Sequence, residues 1–292
     1  MISILKKSIG EARLKLSRAI SGNRWSAFAE DYYPVEFKPR WGYGTRCHPQ
    51  INELLCSKLD DYEALLMNMR RYSGFFNKIQ FSSKEISEPC WNNIWFSSLD
   101  AATLMYFLLR GNPKTYLEVG SGSSTKFARK AMMDGGLRTK LISIDPQPRA
   151  EIDAICDLVI RSPLERSDLR IYRSLEPGDI AFFDGSHRIF TNSDTTVFFL
   201  EIMPCLASGV LIHLHDIFWP DDYIPEWSRR LYSEQYILGA MVLSGMSKFE
   251  IILPNYFVST NPRTSHLING LGVPQLYPGT NKPGLSFWLK VK

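Results

Sequence analysis

TYLEVGSGSST, residues 115–125 of this 292-residue chain, predicts a strand, a glycine-rich turn and the start of a helix. Residues 115–119 are short and mostly apolar, as in a buried parallel strand. The following Gly-Ser-Gly-Ser-Ser permits a sharp turn and a close approach to a ligand, because glycine has no side chain. Residues 126–133 have the composition of a helix, whose N-terminus offers unpaired N–H groups and partial positive charge. This order of elements is typical of a nucleotide-binding α/β domain.

Two residues of this stretch argue against a dinucleotide as the ligand. Thr125 stands where a dinucleotide site needs a third glycine or an alanine, and Glu118 would repel a pyrophosphate. Glu118 instead suits a ligand that carries a cationic amino group. Asp145 ends the next predicted strand, 27 residues after Glu118, a distance that suits a carboxylate holding both ribose hydroxyls. A lone Gly-x-Gly also occurs in ordinary turns, so the prediction depends on Glu118 and Asp145 together.

Composition narrows the class of protein. Hydrophobic residues make up 45% of the chain and charged residues 22%, as in a globular protein. The net charge of +4 is too small to indicate nucleic-acid binding. No apolar run reaches the roughly 18 residues needed to span a bilayer. The cysteines form no Cys-x-x-Cys pair, so neither a zinc knuckle nor a disulfide framework is indicated, and a reducing cytoplasm is expected. They are Cys47, Cys56, Cys90, Cys156 and Cys205.

The first third of the chain is predicted to be a helical and aromatic N-terminal extension or lid, residues 1–97. Residues 2–20 form an amphipathic basic helix, for which packing on its own domain or a second subunit is favoured over contact with a membrane surface. Residues 31–48 form an aromatic loop rich in Pro and Gly. Two helices follow, at 49–60 and 61–72.

Residues 98–292 are predicted to be the catalytic α/β core. Ser98 caps a helix that leads into the first strand. Strands and helices then alternate, which favours a parallel sheet with helices on both faces. A Pro-, Asn- and Gly-rich insertion, residues 254–284, precedes a half-exposed last strand. The predicted strands are 115–119, 141–145, 157–161, 180–184, 210–215, 249–253 and 285–291, and the clearest later helices are 124–133, 195–206 and 226–243.

Chemically versatile side chains follow the fourth and fifth strands. Asp184-Gly185-Ser186-His187 follows one, and His215-Asp216 follows the other. Open α/β sheets bind ligands at the carboxyl ends of their strands, so these groups should meet the glycine turn and Asp145 in one crevice. A carboxylate there can simply cap a helix, and a lone histidine is often structural, which is the interpretation favoured for His213. His187, His215 and Asp216 are favoured as functional.

The sequence resembles a bacterial class I methyltransferase family, similar to catechol O-methyltransferase and antibiotic-sugar O-methyltransferases. The resemblance covers roughly residues 90–292 and implies S-adenosylmethionine (SAM) as the cofactor. It further implies a Rossmann-like sheet of seven strands, mostly parallel, with the last strand antiparallel between the fifth and sixth. Its motifs are specific for the fold and for SAM but weak for the acceptor. They are Glu118-Val-Gly-Ser-Gly-Ser-Ser124, Phe182-Phe-Asp-Gly-Ser-His187, Gly209 to Pro220, Ser233 to Leu238 and Gly284 to Trp288.

The resemblance also implies roles for individual residues. Glu118 would hold the methionine amino group directly or through water, and Ser162 lies where similar enzymes contact adenine. Similar enzymes place a metal carboxylate at Asp184 and an Asp-Asn pair at His215-Asp216. The sequence departs from the family there, and because Mg²⁺ prefers oxygen ligands, magnesium dependence is doubtful. The predicted cofactor-binding residues are Glu118, Gly120, Ser121, Gly122, Ser124, Asp145, Ser162, Asp184 and Gly185, and the metal candidates are Asp184 and Asp216.

Two mechanisms remain open for a methyl transfer. Either His187 or His215 acts as a general base, or a divalent cation acidifies the acceptor hydroxyl. The acceptor is expected to be a small molecule or a sugar or glycan hydroxyl. Its pocket is expected to contain aromatic side chains, which suit a sugar face or a phenolic ring equally. The candidates are Trp219, Tyr223, Trp227, Tyr33, Trp41 and Tyr43.

Two other functions fit parts of the pattern. A nicotinamide-dependent oxidoreductase would use a related fold, although Thr125 and Glu118 argue against it. A non-catalytic interaction module could retain the fold, since the basic N-terminal helix and the 254–284 insertion offer surfaces for partners. Oligomer formation stays open.

Overall fold

A seven-stranded sheet forms the centre of the structure, a computed structural model that describes residues 36–274 and 283–292. Its strand order is β3-β2-β1-β4-β5-β7-β6. The first five strands run parallel, and β7 pairs antiparallel with both β5 and β6. This confirms the predicted fold class. The strands are β1 Thr115–Val119, β2 Lys140–Ile144, β3 Leu158–Ile160, β4 Ile180–Phe183, β5 Leu211–Leu214, β6 Phe249–Pro254 and β7 Phe287–Val291.

Helices occupy most of the predicted positions, with two differences. The predicted helix 195–206 is α-helical only at its start and continues as a π-helix, Phe198–Ile202, and a 3₁₀ turn, Met203–Cys205. Pro204 explains this change, because it has no N–H to donate and its ring crowds the preceding turn. The predicted helix 226–243 begins as a 3₁₀ helix, Pro225–Arg230, and is interrupted at Leu231, which has a left-handed backbone. The α-helices are α1 Pro49–Cys56, α2 Leu59–Met69, α3 Ser73–Phe76, α4 Ser98–Gly111, α5 Ser123–Gly135, α6 Arg170–Arg173, α7 Asp194–Val197, α8 Glu234–Leu243, α9 Asn255–Thr260 and α10 Pro262–Ile268.

Helix α4 leads the chain into the first strand and is buried along most of its length. Its N-cap is Ser97, one residue before the predicted Ser98, because the hydroxyl of Ser97 accepts from the N–H of Asp100 at 3.2 Å. The helix ends where Asn112 adopts a left-handed conformation, directly before Pro113.

Asp100 joins three parts of the chain inside the core. Its side chain is fully buried, and its carboxylate accepts from the N–H groups of Leu285 and Ser286 at 2.9 and 2.8 Å. The side chains of Ser97 and Asn255 also donate to it, at 2.7 and 2.8 Å. A buried carboxylate is stable only when it is paired in this way. Asp100 therefore fixes α4 against the start of α9 and the segment that enters β7.

The described part of the predicted N-terminal extension contributes to the main core. Tyr62, Phe76, Trp91 and Phe96 are buried in the same apolar cluster as the strands, and residues 39–292 form one compact unit. The helix predicted for 2–20 and Tyr33 lie outside the described residues. The division at residue 97 stays a prediction about domain organisation.

Among residues 36–274 and 283–292, no helix is both long enough and apolar enough to cross a bilayer.

We expect Asp100→Ala to lower the free energy of unfolding by about 3–5 kcal/mol, because removal of this buried carboxylate leaves its backbone and side-chain donors without a partner. Urea denaturation followed by circular dichroism measures this loss. The matched control is Asp168→Ala, which removes an exposed carboxylate paired with Arg170 and should leave the midpoint unchanged. A loss below about 1 kcal/mol in Asp100→Ala would contradict the role given to this residue.

Candidate active site

The glycine turn after β1 lies against the end of β4. Gly120 has a φ of +79°, and a Cβ placed on it would lie 1.9 Å from the carbonyl oxygen of Asp184. Only glycine fits this position, for both steric and conformational reasons. Helix α5 then begins, and the N–H of Gly122 donates to the hydroxyl of Thr125 at 2.9 Å. Thr125, the residue whose presence disfavours a dinucleotide, thus stabilises the turn through this hydrogen bond.

Glu118 is fully buried beneath this turn. Its carboxylate accepts from the hydroxyls of Tyr116 at 3.0 Å and Ser124 at 3.2 Å, and also from Thr125 through a short hydrogen bond. Burial raises the pKa of Glu118 to about 7, against the lowering effect of these hydrogen bonds. Glu118 therefore stabilises the first turn of α5, and it reaches the neighbouring cavity through Ser124.

Asp145 follows β2 and faces the turn from the other side. Its Oδ2 accepts from the N–H of Ser121 at 2.8 Å, and its Oδ1 accepts from the N–H of Gln147 at 2.8 Å. These two backbone groups fix the orientation of the carboxylate. Each oxygen keeps a further acceptor site that a ligand hydroxyl can use.

One cavity of about 680 Å³ joins these elements at the carboxyl ends of the strands. Its wall contains most of the residues predicted from the sequence, namely Gly120, Ser121, Gly122, Ser124, Asp145, Asp184, Gly185 and His187. Glu118, His215 and Asp216 lie behind this wall, and Pro163 and Leu164 line it where Ser162 was predicted. The rest of the wall includes Trp95, Phe96, Lys126, Arg149, Phe190 and Asn192.

Two carboxylates and two imidazoles meet at the inner end of this cavity. The Nε2 atom of His187 lies 3.3 Å from Oδ1 of Asp184 and 3.5 Å from Oδ2 of Asp216. The Nδ1 atom of His215 lies 3.3 Å from Oδ1 of Asp216 and 3.6 Å from Oδ1 of Asp184. We call these four residues the Asp–His cluster. The structure thus brings together all three residues predicted to be catalytic.

Two further carboxylates support the cluster from outside. Oε1 of Glu234, the first residue of α8, lies 2.5 Å from Nδ1 of His187, and Oδ2 of Asp100 lies 3.4 Å from Nε2 of His215. Sequence reasoning missed both. Glu234 lies in the Ser233–Leu238 stretch that resembles the family, which could have indicated it, whereas the sequence carries no signal for Asp100.

The cluster perturbs the proton affinities of its members. Burial lowers the pKa of His187, but Glu234 and Asp184 raise it well above its usual value. Burial likewise opposes the charged form of His215, yet Asp184 and Asp216 raise its pKa well above normal. Burial raises the pKa of Asp184, but His215 and His187 bring it well below normal. Both imidazoles are therefore held as cations by the carboxylates around them.

Two carboxyl groups of the site hold protons more tightly than usual. Burial raises the pKa of Asp216 above its usual value, although His215 and His187 oppose this. Burial also raises the pKa of Glu234, to about 7, against the effect of His187. These shifts reflect an excess of acidic groups in a buried place.

Asp184, His187 and Asp216 could hold a metal ion. Each offers one ligand atom, and these atoms all lie within 4.8 Å of one another. His187 and Asp216 also have positive φ values, 62° and 60°, which cost energy in residues other than glycine. Such backbone conformations persist where the surroundings enforce them, as they do at functional sites.

Of the aromatic residues expected around the acceptor, the five that the structure describes do not line the cavity. Trp219 and Tyr223 are 3% and 4% exposed and belong to the interior, and Trp41 packs on Trp219 with ring centroids 5.7 Å apart. Other aromatic side chains, Trp95, Phe96 and Phe190, line the cavity.

His213 is buried as the sequence suggested. Its Nε2 lies 2.6 Å from the hydroxyl of Ser286, and its ring stacks on Trp288 at 4.0 Å. These contacts fit a structural role.

We expect the stability of the wild-type protein to fall relative to that of Glu118→Gln as the pH rises from 4.5 to about 7. A carboxyl group with a raised pKa binds its proton more tightly in the folded state, so its contribution is complete below the unfolded pKa and lost above the folded one. The relative loss should be about 3 kcal/mol. Urea denaturation at pH 5 and pH 8 measures it, with Glu176→Gln on the surface as control. Equal pH dependence in wild type and Glu118→Gln would contradict this account.

Comparison with known proteins identifies the domain. Residues 117–217, about a third of the chain, match the sequence model of a family described as a methyltransferase domain. No curated protein matches the sequence.

Several solved structures are similar to the chain, with low sequence identity and low TM-scores. An SAH-bound methyltransferase of Podospora anserina is 13% identical, with a TM-score of 0.41, over 82% of this chain and 97% of that one. An O-methyltransferase of Bacillus cereus in complex with SAH is also 13% identical, with a TM-score of 0.43, over 83% and 96%. The plantazolicin methyltransferase BamL is 14% identical, with a TM-score of 0.41, over 67% and 84%.

The family match lies on the strands that carry the glycine turn, Asp145 and the Asp–His cluster. Residues 117–217 thus match a methyltransferase domain, and the strand order of the sheet is the seven-stranded order expected from the sequence.

Proposed function

We propose that the protein transfers the methyl group of SAM to a hydroxyl group of a small-molecule or glycan acceptor. The observation that carries this proposal is the single cavity that contains the glycine turn, Asp145 and the edge of the Asp–His cluster. The residues proposed to bind the cofactor and a group that can accept a proton from a hydroxyl therefore lie at the same cavity.

The cofactor fits the inner wall of this cavity. Asp145, already oriented by two backbone N–H groups, would accept from the ribose hydroxyls. The N-terminus of α5, at Ser123 and Ser124, would face the methionine carboxylate, because its N–H groups and partial positive charge favour an anion. The adenine ring would lie toward Ser162, where Pro163 and Leu164 offer apolar contacts. Glu118 would act on the methionine amino group through Ser124.

The chain's main chemical task is to align the acceptor and remove its proton. As the acceptor oxygen attacks, the S–CH₃ bond breaks and the O–CH₃ bond forms, leaving a thioether and one proton. We assign that proton to Nδ1 of His215, which lies beside Asp184 and Asp216. This imidazole would be neutral, and so able to accept the proton, when a cationic ligand in the cavity offsets the charge of the two carboxylates. Asp100, on the opposite nitrogen, would stabilise the imidazolium that results.

A cation suits the same place because acidic groups exceed basic ones. Among the residues that the structure describes, the four carboxyl groups form ion pairs with only two basic side chains, His187 and His215. These carboxyl groups are Asp100, Asp184, Asp216 and Glu234. Asp184, His187 and Asp216 would hold a divalent cation, which when bound lowers the pKa of the acceptor hydroxyl and of the neighbouring imidazoles.

The outer part of the cavity would receive the acceptor. Trp95 and Phe190 are 57% and 50% exposed there, and Phe96 lies deeper. Flat aromatic faces pack equally well on sugar rings and phenolic rings. These aromatic side chains therefore suit both classes of proposed acceptor, small molecules and glycans.

We expect Asp145→Ala to weaken SAM binding by roughly tenfold to a hundredfold, because hydrogen bonds to a charged group contribute about 1.5–3 kcal/mol. Isothermal titration calorimetry measures the dissociation constant, and circular dichroism confirms folding. Asp168→Ala, on the exposed surface, should bind SAM as the wild type does. Unchanged SAM binding in Asp145→Ala would contradict the role given to Asp145. NADH binding without SAM binding by the wild type would favour the nicotinamide alternative.

We expect His215→Gln to slow methyl transfer at least about 100-fold while keeping the wild-type affinity for SAM, since general base catalysis contributes about 10²–10⁴-fold. Transfer of tritiated methyl groups from SAM to a panel of phenolic and sugar hydroxyls measures the rate. The absence of transfer by the folded, SAM-binding wild type across this panel would instead support a non-catalytic module.

A further inference from the structure

We propose that the cation site is a mixed nitrogen and oxygen site, in which His187 Nε2 is a ligand beside Asp184 and Asp216 and Glu234 orients the imidazole. Such a site prefers a first-row transition metal, such as Mn²⁺ or Co²⁺, over Mg²⁺. The inference deepens the proposed function, but its test requires neither SAM nor an acceptor.

Two of the three distances between the ligand atoms are close to those that one ion requires, and all three atoms lie within 4.8 Å of one another. Two ligands about 2.1 Å from a metal ion, at angles between octahedral and tetrahedral, lie about 3.0–3.4 Å apart. Nε2 of His187 is 3.3 Å from Asp184 and 3.5 Å from Asp216. An ion between these three atoms would need only small shifts of the side chains.

Glu234 fixes which nitrogen of His187 faces the cluster. Its carboxylate, fully buried, lies 2.5 Å from Nδ1 and so holds the proton there. Further contacts fix this segment: the N–H of Ser233 donates to the carbonyl oxygen of His187 at 2.7 Å, and the hydroxyl of Ser233 accepts from the N–H of Ile189 at 2.8 Å. When a metal cation takes the place of the proton on Nε2, the lone pair of Nε2 points at the ion. A carboxylate behind a histidine ligand is the usual support of a metal site.

A separate observation also points to a ligand in this space. His215 is 3% exposed, and its Nδ1, directed at the carboxylates of Asp216 and Asp184, has no hydrogen-bond partner among residues 36–274 and 283–292. A buried polar atom without a partner is costly. A ligand or a metal-bound water between the two carboxylates would satisfy it.

The imidazole decides the preference among divalent ions. Mg²⁺ favours six oxygen ligands in a near-octahedral arrangement and keeps several waters, whereas imidazole suits transition metals. His187, Asp184 and Asp216 thus form a ligand set that disfavours magnesium.

The test is metal binding by the full-length protein without SAM. Calorimetric titration with Mg²⁺, Mn²⁺ and Co²⁺ should give affinities for Mn²⁺ and Co²⁺ at least tenfold above that for Mg²⁺. Pulsed electron paramagnetic resonance of bound Mn²⁺ should show the coupling of a directly bound ¹⁴N nucleus.

Variants separate the ligand from its support. Glu234→Gln should weaken Co²⁺ binding roughly 10–100-fold, as changes behind a metal ligand do. His187→Asn, whose new residue tolerates a positive φ, should remove the preference over Mg²⁺. Glu165→Gln removes a carboxylate of the same cavity outside the cluster and should leave metal binding unchanged.

Several results would overturn the inference. These are equal affinities for Mg²⁺ and Mn²⁺, Mn²⁺ bound without ¹⁴N coupling, no metal bound by the folded wild type, or wild-type metal affinity in Glu234→Gln. If SAM still binds in any of these cases, the proposed function stands and the metal inference fails. If metal binds as expected but SAM does not bind, the metal inference stands and the proposed function fails.

Discussion

The close approach of two strand ends, at Gly120 and Asp184, is the contact on which the site depends. With a Cβ at Gly120 only 1.9 Å from the carbonyl oxygen of Asp184, no side chain can stand between β1 and β4. The glycine turn therefore meets the Asp184–His187 segment directly. The parallel order of the sheet supplies the rest, because it places the ends of β2 and β5 at the same edge. The glycine turn and a cluster of titratable groups consequently share one cavity.

The second constraint is electrostatic. Four carboxyl groups surround two imidazoles at a largely buried position, and each carboxylate must be paired to tolerate burial. Asp100 meets this requirement with backbone donors as well as His215, which joins the site to α4 and β7. Structure and chemistry are therefore coupled: the residue that holds three elements together also supports His215.

The sequence predicts the sheet and one layer of the site, but not the layer behind it. Strands and helix α5 are predicted because apolar runs alternate with glycine and acidic residues at their ends. Asp145, His187 and Asp216 are predicted because they follow strands. Asp100 and Glu234 escape prediction because they reach the cluster from distant helices. Only Glu234, within the Ser233–Leu238 stretch, lies in a motif that could have indicated it. Glu118 lies deeper than its position before the glycine turn suggests, because its oxygens are taken by Tyr116, Ser124 and Thr125.

The central claim is that the glycine-turn cavity and the Asp–His cluster form one methyl-transfer site. Paramagnetic relaxation tests it most directly: Mn²⁺ is added to the protein with SAM, and the relaxation of the S-methyl protons of bound SAM is measured by NMR. Because this effect falls steeply with distance, a methyl group held next to the cluster should relax strongly, and chelation of Mn²⁺ should reverse the effect. SAM and Mn²⁺ that both bind, without any relaxation of the methyl protons, would show that the two sites are separate and contradict the account.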